Sequence, residues 1–155
     1  METKYLRRDI KRITGLPDRR IQFYSDSGVL GELTSPGRGN ERIYSRDDLF
    51  KFMIIAELRL YGIEISKIKK IFSRQSEQAE EFLKITGFFN SEYQNGRTNS
   101  YIVIYANGEV RFIPGVAGGW KGDEKTFNRF FEKISRAVVI NLGVIARKMT
   151  GSVNK

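Results

Sequence analysis

Apolar residues recur at helical spacing near the start of the chain. Leu6, Ile10 and Ile13 are three or four positions apart, and basic residues occupy most of the positions between them. This pattern predicts a short helix with one buried stripe and a basic face. Gly15 follows the last apolar position and is predicted to end the helix.

A second helix is predicted directly after that glycine. Pro17 and Asp18 favour a helix start, because proline is tolerated in the first turn and an early carboxylate suits the positive end of the helix dipole. The helix is predicted to stop at Gly28 and carries the pair Arg19 and Arg20. Two short helices joined by a turn with glycine are typical of a helix-turn-helix, whose second helix enters the major groove of DNA. A generic helical hairpin is the alternative.

The stretch from Val29 to Tyr44 is rich in glycine and predicts a β-hairpin wing. Gly37 and Gly39 suit a tight reversal, and Arg38 lies between them, where a wing presents basic side chains to phosphates. An ordinary surface loop is the alternative. The position directly after the second helix favours the wing.

The next helix has a clear start signal. Ser45 is a good N-cap and Asp48 occupies the third helical position, which together form a capping box, while Tyr44 and Leu49 occupy the positions of a hydrophobic staple. Apolar residues then continue at helical spacing as far as Gly62. A further helix is predicted after this glycine, with a core stripe of Ile65, Ile68 and Phe72.

The order of these motifs resembles the amino-terminal domain of regulators of the mercury-resistance (MerR) family, over about residues 5–72. Thr14-Gly15-Leu16 resembles the helix-turn segment of the family, and Arg19-Arg20-Ile21-Gln22-Phe23-Tyr24 resembles its recognition helix. Gly37-Arg38-Gly39 and Arg42-Ile43-Tyr44-Ser45 resemble the wing and its return. No single piece is specific, but the pieces occur in the family's order with short gaps.

The resemblance implies a sequence-specific transcriptional regulator that binds double-stranded DNA as a homodimer on an inverted-repeat promoter site. It also implies that the bound regulator distorts the promoter DNA and so realigns the two promoter elements that RNA polymerase recognises. RNA polymerase is therefore a possible partner. The resemblance further implies contacts with the DNA backbone at Arg19, Tyr24, Arg42 and Tyr44. The complete predicted DNA-binding set is Arg19, Arg20, Gln22, Phe23, Tyr24, Arg38, Arg42 and Tyr44.

Two positions depart from the family pattern. Gln22 stands where arginine is usual, and Ser25 stands where an acidic residue is usual. A glutamine there has three possible roles: a bidentate pair with adenine, one bond to a phosphate, or a position facing the solvent. The departures predict an altered pattern of contacts with DNA.

Composition agrees with an anionic partner and excludes several chemistries. Lys and Arg outnumber Asp and Glu by 27 to 18, giving a formal charge of +9, so nucleic acid is the first partner to test. The chain has no Cys and no His, which excludes disulfides, thiolate zinc sites and catalytic triads built on these residues. We therefore expect no enzyme, no cofactor and no metal, and we expect no sensing of soft metals through thiolates. The identity of an effector stays open, and so does the question whether the protein has one.

No apolar run approaches the ~20 residues needed to cross a bilayer, and the charged start lacks an apolar signal stretch. We therefore expect no membrane association and a cytoplasmic, nucleoid-associated protein.

The chain beyond about Asn99 predicts a β-hairpin. The strand-like runs 101–105 and 110–113 flank Asn107-Gly108, which is the strongest short hairpin signal. If Asn107-Gly108 is a two-residue turn, Tyr105 pairs with Val110 and Val103 pairs with Phe112. The face predicted to be shared consists of Tyr101, Val103, Tyr105, Val110 and Phe112.

A long amphipathic helix is predicted from Asp123 to Met149. Phe130, Val139, Ile140 and Val144 add apolar residues outside the main stripe from Phe127 to Met149. The helix is therefore predicted to pack on the hairpin with one face and on a second subunit with another; a larger intramolecular core is the alternative. A shorter helix is predicted from Glu77 to Ile85, so the family's usual coiled coil is not evident there. The residues of the long stripe are Phe127, Phe131, Ile134, Val138, Leu142, Ile145 and Met149.

The sequence thus predicts an α+β fold: a MerR-type winged helix-turn-helix domain at residues 1–73, a short helix and linker at 74–98, and a β-hairpin with a long carboxy-terminal helix at 99–155. The glycine-rich loop around Trp120 fails the spacing of a phosphate-binding loop, although Trp120 and the hairpin aromatics could line an effector pocket. Two other functions stay open: an architectural or excision factor of a mobile element, and a protein-interaction module.

Overall fold

A computed structural model describes residues 4–30, 42–72, 101–113 and 136–153. Four helices with two short strands fill the first two ranges, and a three-stranded sheet with one helix fills the others. The elements in chain order are β1 Tyr5–Leu6, α1 Arg7–Thr14, α2 Asp18–Asp26, β2 Ile43–Tyr44, α3 Arg46–Leu60, α4 Ile65–Phe72, β3 Tyr101–Tyr105, β4 Val110–Ile113, β5 Ala137–Asn141 and α5 Leu142–Val153. None of the helices within these ranges is long and apolar enough to cross a bilayer.

The first two helices begin and end close to where the sequence predicts. Gly15 ends α1 with a left-handed φ of 72°, and its N–H donates to the Lys11 carbonyl over 2.9 Å. Pro17 precedes α2, and its carbonyl accepts hydrogen bonds from the N–H groups of the first turn. The last residue of α2 is Asp26, two positions before the predicted end, and Gly28 lies in the turn that follows with a φ of 67°.

The predicted capping box of α3 is confirmed. Ser45 Oγ accepts from the Asp48 N–H over 3.1 Å, and Asp48 Oδ2 accepts from the Ser45 N–H over 2.8 Å. Tyr44 and Leu49, the predicted staple, are both buried. The Tyr44 ring also meets the Phe52 ring edge to face, with centroids 5.4 Å apart. The start of α3 is therefore fixed by hydrogen bonds and by aromatic packing together.

The strand β2 closes the amino-terminal domain by pairing with the start of the chain. Tyr5 pairs with Tyr44 and Leu6 with Ile43 in an antiparallel ladder. The chain thus returns from the predicted wing onto β1, next to α1. Residues 31–41, which include Arg38, lie outside the described residues.

The carboxy-terminal sheet has the strand order β4-β3-β5, with antiparallel pairs on both sides of β3. Tyr105 and Glu109 still face each other across the hairpin, because the Tyr105 N–H donates to the Glu109 carbonyl over 2.9 Å. The loop that joins the two strands therefore consists of the three residues 106–108. The predicted two-residue turn is wrong. Gly108 takes the left-handed position, with a φ of 85°, that a three-residue hairpin loop needs.

The longer loop shifts the hairpin register by one residue. Val110 pairs with Ile104, and Phe112 pairs with Ile102. A shift of one residue moves a strand's side chains to the opposite face of the sheet, so the predicted shared face of Tyr101, Val103, Tyr105, Val110 and Phe112 is wrong. The residues of the sheet that enter the common core are Ile102, Ile104, Val110 and Ile140.

The predicted long helix is wrong over Ala137–Asn141, which forms β5. This segment contains the β-branched run Val138-Val139-Ile140, which fits a strand better than a helix. Pairing with β3 adds a full antiparallel ladder. The helix α5 begins only after Asn141, whose Oδ1 accepts from the N–H groups of Gly143 and Val144 over 2.9 and 3.2 Å.

The stripe of α5 faces the chain's own core. Leu142, Ile145 and Met149 are buried in one cluster with the apolar residues of α3, and Lys148 Nζ lies 3.4 Å from Glu57 Oε1 of α3. These three residues therefore belong to an intramolecular core, whereas Val139 and Val144, outside the stripe, are 43% and 39% exposed. The dimer stays a prediction. Phe127, Phe131 and Ile134, the predicted helix at 77–85 and Trp120 all lie outside the described residues.

Candidate nucleic-acid interface

The helix α2 has a buried side and an exposed side. Ile21 and Tyr24 are buried and hold the helix against the core. The exposed side carries two arginines, a glutamine and a phenylalanine whose side chain is 46% exposed. We call this exposed set the recognition face; it consists of Arg19, Arg20, Gln22 and Phe23.

The surroundings of the recognition face are basic. Residues 4–26 contain seven basic and three acidic side chains. Each acidic side chain has a cation within 4 Å, which reduces its repulsion of an anion: Arg12 Nη2 lies 3.9 Å from Asp9, Lys11 Nζ lies 2.6 Å from Asp18, and Arg42 Nη1 lies 3.0 Å from Asp26. The seven basic residues are Lys4, Arg7, Arg8, Lys11, Arg12, Arg19 and Arg20.

Two polar contacts join α1 to α2 side by side. Arg7 and Lys11 are four positions apart on α1, and Asp18 and Gln22 are four positions apart on α2, so each pair lies on one face of its helix. Lys11 Nζ donates to Asp18 Oδ2 over 2.6 Å, and Arg7 Nη1 donates to Gln22 Oε1 over 3.0 Å. We call these two contacts the α1–α2 ladder. Both contacts lie at the exposed surface between the two helices.

The ladder also sets the charge state of Asp18. The hydrogen bond from Lys11 lowers the pKa of the Asp18 carboxyl, and the positive charges of Lys11 and Arg7 act in the same direction. The carboxylate is exposed, so the effect on folding stability is small. The bond is complete above the ordinary pKa of 3.8 and is lost as the pH falls through the lowered value.

We expect the substitution Lys11→Gln to raise the pKa of Asp18 towards its ordinary value of 3.8, because the charged donor is removed. An NMR titration of the side-chain carboxyl carbons measures this value directly. Lys69→Gln removes one exposed positive charge from α4 and serves as the control. An Asp18 pKa that is the same in Lys11→Gln and in the control would rule out the ladder contact in solution.

Two side-chain contacts tie the return of the predicted wing to the end of α2. Arg42 Nη1 donates to Asp26 Oδ1 over 3.0 Å. The Tyr44 hydroxyl lies 3.0 Å from Ser25 Oγ. Because Ser25 Oγ already donates to the Ile21 carbonyl over 2.8 Å, it accepts the Tyr44 proton. Sequence reasoning marks Ser25 as a departure from the family pattern but does not find this partner, because the two residues are 19 positions apart.

The structure brings half of the predicted DNA-binding set onto one surface, the recognition face. Arg42 is ion-paired with Asp26 next to it. Tyr24 and Tyr44 are only 1% and 2% exposed, so their placement does not support direct contact with phosphates, and both rings pack in the core. Arg38 lies outside the described residues. Among the described residues, no group of His, Cys, Asp and Glu side chains is arranged to hold a metal ion.

This arrangement defines the class of the amino-terminal domain: a helix-turn-helix whose second helix presents a basic, exposed surface. Residues 6–75 match the family model described as MerR HTH family regulatory protein. This part of the chain is therefore a MerR-type helix-turn-helix domain, as the resemblance in the sequence predicts.

Among solved structures, the chain is similar to a MerR-family transcriptional regulator from Bacillus cereus, with 14% sequence identity, a TM-score of 0.41 and 97% of each chain covered. No curated protein matches the sequence.

Proposed function

We propose that this protein is a sequence-specific DNA-binding transcriptional regulator that acts as a homodimer on an inverted-repeat promoter site. The observation that carries the proposal is the recognition face, where α2 exposes two arginines, a glutamine and a phenylalanine beside the basic surface of α1. The MerR-type domain at residues 6–75 supports the same reading.

Base reading and backbone binding fall to different side chains in this proposal. In a helix-turn-helix the early residues of the second helix meet base edges in the major groove, and basic residues around it meet phosphates. Arg19 and Arg20 lie in the first turn of α2, where the helix dipole also favours phosphate. The exposed Phe23 ring suits apolar contact with a thymine methyl group. Tyr24 and Tyr44 support this surface from below.

A homodimer suits a recognition surface of this size, because one short helix reads only one half-site. Two copies related by a two-fold axis would read an inverted repeat. Distorting the promoter between the half-sites costs of the order of 1 to 6 kcal/mol, which additional phosphate contacts can offset. RNA polymerase is then the partner that senses the distorted promoter. The buried face of α5 is excluded from the dimer contact, because it is already packed on α3.

The test is selection of binding sites from a random library of DNA duplexes, followed by affinity measurements at two salt concentrations. We expect an inverted repeat to be enriched. Arg19→Ala is expected to weaken binding about tenfold and to reduce the slope of log affinity against log salt by about one, because one phosphate contact is lost.

Arg136→Ala is the matched control, since it removes one exposed arginine at the start of β5, outside the helix-turn-helix. It is expected to bind like the wild type. If no sequence is enriched and Arg19→Ala binds duplex DNA as the control does, the chain is not a sequence-specific regulator. Enrichment of a single half-site without its repeat would contradict the homodimer.

A further inference from the structure

The contact between Arg7 and Gln22 determines which end of the Gln22 amide is presented to a ligand. Arg7 Nη1 lies 3.0 Å from Gln22 Oε1. A guanidinium group only donates hydrogen bonds, so the amide atom beside it must be the oxygen. The NH₂ group, with its two N–H donors, is therefore the end that Gln22 offers on the exposed side of α2.

The position of Arg7 is supported by its neighbours. Lys11, one turn further along α1, is bonded to Asp18, so a second contact joins the same two helix faces. The positive charge of Arg7 also acts to lower the pKa of Asp18, one turn before Gln22 on α2. The orientation of Gln22 thus rests on the α1–α2 ladder as a whole.

We propose that Gln22 reads the major groove as a hydrogen-bond donor and selects guanine in each half-site, with Arg7 as the residue that positions it. This inference rests on the proposed function. Guanine presents two adjacent acceptors, O6 and N7, whereas adenine presents one acceptor beside an amino donor and cytosine presents a donor. Thymine offers the single acceptor O4, so we expect it to bind the Gln22 amide next best after guanine.

The inference replaces the adenine interpretation of Gln22. A bidentate pair with adenine needs the amide oxygen to accept from the N6 amino group and the amide nitrogen to donate to N7. Arg7 uses one of the two lone pairs of that oxygen and directs the oxygen towards α1, so we infer that the amide meets a base mainly through its NH₂ group. In this inference the preference moves towards adenine when the contact between Arg7 and Gln22 is removed, and this gives the inference its test.

The experiment determines the enriched site of the full chain and then measures affinity for all four bases at each position of the site. We expect one position in each half-site to prefer guanine over adenine by about fivefold or more. Gln22→Ala should lose the preference at that position alone. Arg7→Ala should shift the preference at that position towards adenine, because the amide oxygen becomes available.

Arg8→Ala is the matched control for Arg7→Ala. Arg8 is the next residue on α1 and is exposed, so its loss removes the same charge without touching Gln22. It should lower affinity to a similar degree for every site variant and leave the guanine preference unchanged. Equal melting temperatures of the variants would show that differences in binding do not come from unfolding.

Several results overturn the inference while the proposed function stands. One is a clear enriched site that prefers adenine at the position lost in Gln22→Ala. Another is a Gln22→Ala variant that weakens binding equally for all site variants. An unchanged guanine preference in Arg7→Ala would contradict the positioning role of Arg7. A wild-type chain that enriches no site overturns the proposed function, and this inference with it.

Discussion

Replacing Phe52 by alanine is expected to lower the free energy of unfolding by about 3–5 kcal/mol, because a buried aromatic side chain leaves a cavity that the core cannot fill. Phe52 is fully buried in α3, and its ring meets the Tyr44 ring edge to face. The expected loss is a large part of the total stability of a small domain. Urea unfolding followed by circular dichroism measures it.

The same substitution should also disturb DNA binding, although Phe52 is fully buried. Tyr44 packs on Phe52 with its ring and donates to Ser25 of α2 with its hydroxyl. Without the Phe52 ring, Tyr44 loses the aromatic contact that holds its own ring in place. The hydrogen bond by which Tyr44 of β2 contacts Ser25 of α2 is then expected to weaken. We expect affinity for the enriched DNA site to fall by more than the unfolded fraction explains.

Phe52→Leu is the matched control, because leucine keeps an apolar side chain of comparable reach at the same position. It should cost clearly less stability than alanine and retain most of the DNA affinity. If Phe52→Ala binds DNA with wild-type affinity after correction for the unfolded fraction, the chain of contacts from α3 to α2 does not control the recognition face.

The amino-terminal half is predictable from the sequence because its signals are local. A glycine that ends a helix, a proline that precedes one and a serine with its capping partner three positions later each act within one turn of backbone. Gly15, Pro17 and Ser45 behave as the sequence predicts. The order of such signals is also what makes the MerR-type domain recognisable.

The carboxy-terminal half is predicted less well because its decisive contacts are distant in sequence. The apolar positions from Val138 to Met149 keep helical spacing even though the first of them belongs to β5. What decides between strand and helix there is the neighbouring strand β3, which offers a free edge for pairing with 137–141. Periodicity within the segment does not contain that information.

The hairpin loop shows the same limit on a smaller scale. Asn107-Gly108 predicts a reversal, and a reversal occurs, but the pair does not determine how many residues belong to the loop. Only the ladder between Ile104 and Val110 fixes the register. In that register Val110 lies opposite Ile104, and both residues are buried in the common core; a shift by one residue would turn Val110 to the other face of the sheet.

The candidate site was only partly predictable for a related reason. Charge and exposure of Arg19, Arg20 and Gln22 follow from their positions on a short amphipathic helix. The roles of Tyr24 and Tyr44 do not follow from their positions. A tyrosine can contact a phosphate, or it can lie in the core with its hydroxyl hydrogen-bonded to another protein group. In the structure both rings are buried, and the Tyr44 hydroxyl bonds to Ser25, which favours the core role; contact of either tyrosine with DNA stays a prediction.

Replacing Ile145 by alanine is the second change expected to have a large effect. Ile145 is 3% exposed and lies in the core cluster shared by α5, the sheet and α3. Truncating a buried isoleucine to alanine costs about 2–5 kcal/mol. Because α3 belongs to the helix-turn-helix domain, we expect the loss to destabilise that domain as well as the sheet.

Val144→Ala is the matched control for Ile145→Ala. Val144 is the preceding residue of α5 and is 39% exposed, so its truncation should change stability by no more than about 0.5 kcal/mol. Backbone amide hydrogen exchange measured along α3 reports the coupling directly. We expect exchange in α3 to be faster in Ile145→Ala and unchanged in Val144→Ala, with urea unfolding of both variants remaining a single transition.

If α3 keeps its wild-type exchange in Ile145→Ala while the sheet unfolds separately, the carboxy-terminal sheet and α5 are an independent unit. The contact between Lys148 and Glu57 would then contribute nothing to the stability of the DNA-binding domain.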